Sequence, residues 1–439
     1  MPSLLVRNAT ILTMNDTLDV VEGDVLIDDG HIVVVGDVGA VRAERTVDAR
    51  GGYLLPGFVQ THLHLCQTLF RGYADDLALL DWLTTRIWPM EAAHTPASLQ
   101  ASARLAALEL LGSGTTTVLT METVHDTDAV FDALAPVGLR AIVGKCMMDG
   151  DAGVPARLRE RTRASIDESL ALVSRWQHGA NGRLRVAFAP RFAVSCSREL
   201  LEEVAWLSSA HGLLVHTHAS ENRDEVALIQ ARTGMSNVVY LHDCDLTSER
   251  LCLAHCVWVD EVEQNILAER RVNVMHCPGS NLKLGSGLAP IVELKARGVC
   301  LSLGADGAAC NNHLDMFGEM RLAATLQAVR HGPGALPAAE VLRMATRDGA
   351  RALGMEREIG SVEVGKRADL IVIERDRAHF APGVDPFSTI VYAGRPTDVR
   401  TTIVDGEVLV DDFTAVGLDA EEIAAVARTE AQALAARAF

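Results

Sequence analysis

Alternating apolar and polar residues mark both ends of the chain. The first 56 residues contain LLVRNATILTM, DVLIDDGHIVVVG and RTVDARGGYLL, which are short strand patterns broken by Asp-Gly and Gly-Gly turn signals. The same pattern returns in ADLIVIE, VRTTIVDG and EVLVDD, and Ala and Leu then recur at helical spacing. We therefore predict one small β-sandwich domain assembled from residues 1–56 and 361–415, followed by a terminal helix over 416–439.

Between these ends, over residues 57–360, apolar strand candidates alternate with helical stretches. The eight strand candidates are FVQTHLH, TTTVLT, LRAIVGKCMM, RLRVAFAPRF, LLVHTHAS, LCLAHC, VNVMHCP and CLSLGAD. Eight strand–helix units predict an α/β fold, a closed parallel (β/α)8 barrel. Active sites of such barrels lie at the C-terminal ends of the strands, so we expect the chemistry there.

Polar side chains do occur where these strands end. His62 and His64 end the first strand, and side chains two residues apart in a strand share a face. The later strands end in further candidates, namely His216, His218 and Glu221, then His255, His276 and Asp306. A single histidine at a strand end is more often a packing or rim residue than a ligand. The occurrence of histidine and acidic residues at the ends of several separate strands nevertheless favours a metal site.

Three imidazoles and one carboxylate suit zinc or a similar divalent ion. The predicted metal ligands are His62, His64, His218 and Asp306.

The bulk composition narrows the class of partner. The chain has 439 residues, 49% of them hydrophobic, and a formal charge of −18, which disfavours nucleic acid and anionic membrane surfaces. Nine cysteines without a CxxC pair predict free thiols in a reducing compartment. Neither an export signal nor an apolar run of about 20 residues is visible. We therefore expect a cytoplasmic enzyme for a small molecule, and a homo-oligomer, either a dimer or a tetramer.

The segments LLPGFVQTHLHL, VHTHASE, LAHC and LGADG, in this order, resemble the amidohydrolase superfamily and its branch of deaminases and triazine hydrolases. The resemblance covers essentially the whole chain. It implies that the four predicted ligands hold one metal ion, zinc or alternatively iron. Members with two ions usually carry a lysine on strand four, and RLRVAFAPRF has none, which favours a single ion; Lys145, on strand three, is interpreted as structural.

The same resemblance implies roles for Glu221, His255 and Asp306 in catalysis. A divalent ion brings the pKa of a bound water to roughly 7. Asp306 would accept a proton from this water and His255 would orient it. Glu221, three residues beyond a ligand, would protonate a ring nitrogen. The predicted reaction is the hydrolytic removal of an amino group from a nitrogen heterocycle, with release of ammonia.

Five further residues are candidate substrate contacts. Gln67, in HLHLCQ, offers a donor and an acceptor to the edge of a purine or triazine, although a capping or surface role fits the spacing equally well. Arg191 and Phe192 follow strand four, where they can bond and stack on a ring, or the arginine can pair with a rim carboxylate. Trp82 and Glu91 lie in DWLTTRIWPME, where aromatic residues at helical spacing are more often packing.

The motifs HxHxxQ, PRFxxSCS, HASENRDEV and RAIVGKCMMD resemble guanine deaminases most, which implies that Gln67 and Arg191 hold the base. The alternative is a deaminase of 5′-modified adenosines, such as methylthioadenosine or S-adenosylhomocysteine. These enzymes share the DWL…P.E segment, whose glutamate, matched by Glu91, contacts the ribose, but they usually carry histidine in place of Arg191. An s-triazine hydrolase is a third interpretation, and an inactive ligand-binding relative is one of a different class.

Overall fold

The structure, a computed structural model, describes residues 3–150 and 153–439. Its strands are β1 Leu4–Leu12, β2 Val20–Asp28, β3 His31–Gly36, β4 Arg45–Asp48, β5 Tyr53–Pro56, β6 Phe58–His64, β7 Thr115–Met121, β8 Arg140–Met147, β9 Leu184–Pro190, β10 Val215–Ala219, β11 Leu251–His255, β12 Asn273–His276, β13 Cys300–Leu303, β14 Asp306–Gly307, β15 Leu370–Ile373, β16 Val399–Val404, β17 Glu407–Asp411 and β18 Thr414–Ala415.

The helices separate most of the barrel strands and cover them. They are α1 Leu79–Trp82, α2 Trp88–Ala92, α3 Pro96–Gly112, α4 Asp128–Leu134, α5 Thr162–Trp176, α6 Arg198–His211, α7 Arg223–Thr233, α8 Asn237–Asp243, α9 Glu261–Glu269, α10 Pro278–Lys283, α11 Ile291–Ala296, α12 Ala308–Asn311, α13 Met316–His331, α14 Ala338–Met344, α15 Arg347–Ala352, α16 Pro386–Ser388 and α17 Ala420–Ala438. No helix in the described ranges is long and apolar enough to cross a membrane.

Strands β6 to β14 form one parallel sheet in the order β13-β12-β11-β10-β9-β8-β7-β6-β14. The strands β13 and β14 are two halves of an eighth strand that is interrupted at residues 304–305. The first half pairs with β12 and the second half pairs with β6. The eighth strand therefore joins the seventh to the first and closes the barrel. All eight predicted strands are present, and the predicted (β/α)8 barrel is confirmed.

A second, mixed sheet of nine strands combines β1–β5 with β15–β18. Apolar side chains from strands far apart in this sheet meet in one core, among them Val25, Ile32, Leu54, Leu370 and Val408. Backbone hydrogen bonds from Ala368 N to Gly30 O and from Ile32 N to Lys366 O, both 2.8 Å, join the β2–β3 hairpin to the segment before β15, so the sheet folds over itself as expected of a sandwich. The domain limits that the sequence suggests, at residues 56, 360 and 415, stay a prediction.

A buried ion pair fastens this sheet to the barrel. Arg140, on β8, donates from Nε and Nη2 to the two carboxylate oxygens of Asp369 at 2.7 and 2.9 Å. Asp369 immediately precedes β15, so the bidentate contact joins the barrel wall to the small sheet.

One excursion of the chain, from β6 to α3, shapes the mouth of the barrel. It begins with a 3₁₀ turn at Leu65–Phe70 and ends with α1, a π-helical turn at Leu83–Ile87, and α2. The C-terminal helix α17 packs against α2 and α3, with Leu434 fully buried. Arg437, on α17, donates from Nε to the carbonyl of Ala93 at 2.9 Å. The end of the excursion is thus anchored.

Candidate active site

Four predicted metal ligands converge at the C-terminal end of the barrel. His62 and His64 end β6, His218 lies on β10, and Asp306 begins β14. The Asp306 Oδ1 atom is 3.2 Å from His62 Nε2 and 3.3 Å from His64 Nε2. The Nε2 atoms of His64 and His218 are 3.2 Å apart. Residues that are 244 positions apart in sequence thus present their ligand atoms to one point.

The hydrogen bonds behind two of these imidazoles fix their tautomers. The Nδ1 atom of His64 lies 2.8 Å from the carbonyl oxygen of Met121, and that of His218 lies 2.7 Å from the carbonyl oxygen of Arg191. A carbonyl oxygen only accepts, so Nδ1 carries the proton in each neutral ring, and Nε2 is the nitrogen that keeps a lone pair. Burial also lowers the pKa of His218 well below its usual value and that of His62 to about 4, so both rings are neutral.

These neutral rings make a donor set that fits a divalent cation. Two nitrogen lone pairs 3.2 Å apart repel each other unless a cation or a proton lies between them. The buried Nε2 atoms of His62 and His255 have no hydrogen-bond partner among the described residues. A metal ion would satisfy them, because deprotonated imidazole nitrogens and a carboxylate oxygen are ordinary ligands of zinc and similar ions.

Two buried residues that sequence reasoning gave no role in the site support the ligands from behind. The Nε2 atom of His216 is 2.6 Å from the Nδ1 atom of His62. The Glu122 carboxylate accepts the backbone N–H of Cys66 at 2.9 Å, which fixes the turn after His64, and burial raises the pKa of Glu122. The sequence could have indicated the role of His216, because this residue lies two positions before the predicted ligand His218 and shares the same face of the strand. Nothing local pointed to Glu122.

The predicted catalytic residues lie beside the ligands. The Glu221 Oε2 atom is 3.5 Å from His255 Nε2, which is itself 3.8 Å from Asp306 Oδ2. Asn281 Oδ1 lies 2.9 Å from His255 Nδ1, and the Ser286 hydroxyl donates to Glu221 Oε1 at 3.3 Å. Each catalytic side chain is therefore held by a neighbour.

Burial sets the proton affinity of this pair. It raises the pKa of the Glu221 carboxyl to about 7, so the group exchanges a proton near neutral pH. Burial alone would lower the pKa of His255, but the carboxylates of Glu221 and Asp306 outweigh it and raise that pKa. Glu221 is therefore suited to move a proton near neutral pH.

Backbone strain is concentrated at the same place. His255 has φ +74°, Cys256 +47° and Asp306 +61°, all in the left-handed region that residues with a Cβ rarely adopt. Such strain persists where surrounding structure holds a side chain in position for function.

A small cavity lies over the cluster. It has a volume of about 20 Å³, and its lining residues are His64, Leu79, Trp82, Leu83, Arg191, Phe192, His218, Glu221, His255, Leu284 and Asp306. A cavity of about 850 Å³ lies instead at the N-terminal ends of the strands and includes none of the clustered residues. The smaller cavity is the candidate active site, because barrel enzymes work at the C-terminal ends.

The five candidate substrate contacts fall into two groups. Trp82, Arg191 and Phe192 line the cavity, whereas Gln67 and Glu91 do not. The Glu91 carboxylate accepts Gln67 Nε2 at 3.0 Å and Arg191 Nη1 at 2.6 Å, and all three residues are buried. The roles of all five in substrate binding stay predictions.

Comparison with known proteins decides the family. Residues 53–409 match the amidohydrolase family. The chain belongs to this family. It is 40% identical over 440 residues to a 5′-deoxyadenosine deaminase of Methanosarcina acetivorans, and the match covers 100% of both proteins. It is also 40% identical over 443 residues to a 5-methylthioadenosine/S-adenosylhomocysteine deaminase of Pelotomaculum thermopropionicum, again with 100% of both covered.

Solved structures of this family have the same fold. A zinc-bound adenosine deaminase from Xanthomonas campestris superposes with a TM-score of 0.92 at 33% identity, covering 99% of this chain and 98% of that one. A guanine deaminase from C. acetobutylicum superposes with a TM-score of 0.84 at 25% identity, covering 92% of this chain and 99% of that one. The predicted family and enzyme class, a carbon–nitrogen hydrolase of the aminohydrolase type, are confirmed.

The comparisons favour the alternative substrate class, the 5′-modified adenosines, over guanine. The more similar relatives carry adenosine-type names, and the guanine deaminase is more distant. The geometry around Gln67 agrees with this preference. The HxHxxQ spacing suggested that Gln67 holds a base, but its side-chain amide donates to Glu91 behind the cavity wall. The spacing of a motif cannot show which way a side chain after the strand turns.

Proposed function

We propose that this protein is a deaminase of 5′-modified adenosines, of the 5′-deoxyadenosine or 5′-methylthioadenosine type, that uses one zinc ion. The observation that carries the reaction is a carboxyl group with a pKa near 7, Glu221, beside converging imidazole lone pairs at the mouth of the barrel. The names of the full-length relatives at 40% identity support the substrate class.

The ligands of the ion would be His62, His64, His218 and Asp306. A divalent metal ion, when bound, supplies a water whose pKa is lowered to roughly 7. The ring nitrogens of His64 and His218 are held ready by the carbonyl groups of Met121 and Arg191. The Asp306 Oδ2 atom accepts the Ser280 hydroxyl at 2.7 Å, which leaves Oδ1 turned towards His62 and His64.

Glu221 would act as the general acid. With a pKa raised to about 7, it can hold a proton near neutral pH, and it lines the cavity in which the purine would lie. Donation of this proton to a ring nitrogen lets the neighbouring carbon accept hydroxide without a build-up of full negative charge on the ring. His255 lies between Glu221 and Asp306, where it would orient the attacking water and stabilise developing negative charge.

The walls of the cavity suit a purine with an apolar 5′ group. Phe192 and Trp82 line the cavity, and aromatic rings can stack on a purine. Leu79, Leu83 and Leu284 supply apolar surface, which favours a 5′-deoxy or methylthio group over a charged one.

An ammonia-release assay tests this proposal. Zinc-loaded protein would be offered 5′-deoxyadenosine, methylthioadenosine, S-adenosylhomocysteine, adenosine, guanine and melamine at equal concentration. 5′-Deoxyadenosine and methylthioadenosine should give the highest kcat/KM, and Glu221→Gln should release ammonia from them about 10²–10⁴-fold more slowly. Release from guanine or melamine but not from the adenosines would overturn the proposed substrate class. Parallel loading with iron tests the choice of zinc.

A further inference from the structure

The cavity over the cluster is too small for the substrate class proposed above. Its volume of about 20 Å³ is close to the least that holds one water molecule. Pockets that bind small organic ligands enclose roughly 300–1,000 Å³. This step rests on the proposed function only in that the substrate is taken to be of nucleoside size. Part of the cavity wall must therefore move before substrate enters.

The wall has a fixed part and a part that can move. The residues on the barrel strands and at their ends, such as His218 and Asp306, carry the chemistry and belong to the barrel. Leu79, Trp82 and Leu83 lie instead on the excursion between β6 and α3, and Leu284 follows α10. These four residues form the side of the cavity that is not part of the barrel sheet. We refer to residues 71–87 as the lid.

Lys283 joins both movable sides of the cavity. Its neighbour Leu284 lines the cavity, and its ammonium group is 2.5 Å from Oδ1 of Asp75, four residues before Leu79. The same ammonium donates to the Ala309 carbonyl at 3.3 Å and to the side chain of Asn312. An ammonium group has three N–H donors, and here acceptors from the lid and from the segment after β14 engage all of them.

We propose that Lys283 is a positioning residue that latches the lid over the active site by its ion pair with Asp75. The pair is partly exposed, with 25% and 39% of the two side chains accessible. Exposed pairs are weak, so the latch breaks easily enough to admit substrate at each turnover. The far end of the lid leads into α2, which is held by the Arg437 contact to Ala93 and by Glu91.

The lid therefore has a latched end near Asp75 and an anchored end near Ala93. The π-helical turn at Leu83–Ile87 lies between them and provides the hinge. A π-turn interrupts the regular hydrogen bonding of a helix and often marks a functional site.

Hydrogen exchange of the metal-loaded protein tests the latch without reference to any substrate. Lys283→Met and Asp75→Asn should each speed amide exchange in residues 71–83 by about two- to fivefold, the range expected for one exposed ion pair. Exchange in residues 88–94 should not change. The double variant should equal Lys283→Met alone, because the two side chains act through one contact.

Asp76→Asn is the matched control, since this neighbouring carboxylate is exposed and has no ion pair in the described part of the chain. It should leave exchange unchanged. On the active substrate, Lys283→Met should raise KM two- to fivefold while kcat stays within twofold. Unchanged lid exchange in both single variants, or additive effects in the double variant, would overturn the proposal. Inactivity towards adenosines with the expected exchange would instead refute only the proposed function.

Discussion

The carbonyl oxygen of Arg191 accepts a hydrogen bond from Nδ1 of His218 at 2.7 Å. The guanidinium group of the same residue binds Glu91 at 2.6 Å. One residue thus orients a candidate metal ligand through its backbone and holds the cavity wall through its side chain. The two tasks are separable by mutation, because substitution removes the side chain and leaves the carbonyl in place.

Arg191→Met should therefore lower the stability while leaving the metal bound. It leaves the buried Glu91 carboxylate without its cation, which costs about 3–5 kcal/mol in the free energy of unfolding. The double variant Arg191→Met/Glu91→Gln should recover most of this loss, because no buried charge remains. Denaturant unfolding and metal analysis of the three proteins check both statements. Loss of metal from Arg191→Met would show that the side chain is needed to place His218.

Glu221→Gln should lower kcat by about 10²–10⁴-fold, the usual contribution of a general acid, without loss of metal. Glutamine keeps the size of the side chain and the contact with Ser286 but has no proton to give. Single-turnover kinetics with metal analysis is the appropriate measurement. Ser286→Ala is a useful comparison, since it removes a hydrogen bond to Glu221 and keeps the acid. A Gln variant with nearly full activity would exclude Glu221 as the proton donor.

The pH dependence follows from the direction of the Glu221 shift. Burial raises the pKa of this carboxyl from 4.5 to about 7, so it is protonated below pH 7 and loses its proton above it. An acid is active only when protonated, so kcat/KM should fall as the pH rises above about 7, approaching tenfold per pH unit. Measurement of kcat/KM from pH 5.5 to 9 on metal-loaded enzyme tests this decrease. A rise in kcat/KM across pH 7–9 would contradict the role of Glu221 as the general acid.

His216→Ala should weaken metal binding about 10–100-fold, the usual effect of removing a residue that orients a ligand. His216 lies 2.6 Å from His62 Nδ1 and holds that ring in place. Competition with a chelator gives the affinity of each protein for the metal ion. His276→Ala is the control, since this buried histidine also ends a barrel strand but lies outside the ligand cluster. Equal affinity of the His216 variant and the unaltered protein would contradict the supporting role.

Arg140→Met should destabilise the protein by about 3–5 kcal/mol, because it leaves the buried Asp369 carboxylate unpaired at the junction of the barrel and the small sheet. Arg175→Met is the matched surface control. Its pair with Asp128 is 62% and 42% exposed, and its loss should cost no more than about 1 kcal/mol. Urea unfolding of both variants is the measurement. Similar losses of unfolding free energy in the two variants would mean that the Arg140–Asp369 junction contributes little to stability.

The sequence predicted the parts of this molecule that depend on local patterns. Each barrel strand was an apolar run, and both HxH pairs could be placed because side chains alternate along a strand. The contact of Glu91 with Gln67 and Arg191 joins residues 24 and 100 positions apart in sequence and depends on how the helices after β6 fold back. The hydrogen bond from the Cys66 backbone N–H to the Glu122 carboxylate also joins distant residues, because Cys66 lies in the turn after β6 and Glu122 follows β7. Such contacts are set by tertiary packing, which periodicity does not encode.

The interrupted eighth strand links folding to chemistry. Its second half, beginning with Asp306, pairs with the end of β6 that carries His64, so the seam of the barrel runs through the candidate metal site. Until this strand docks, the imidazoles of β6 and β10 lack their carboxylate partner. Acquisition of full metal affinity during refolding would therefore report the moment at which the cylinder becomes complete.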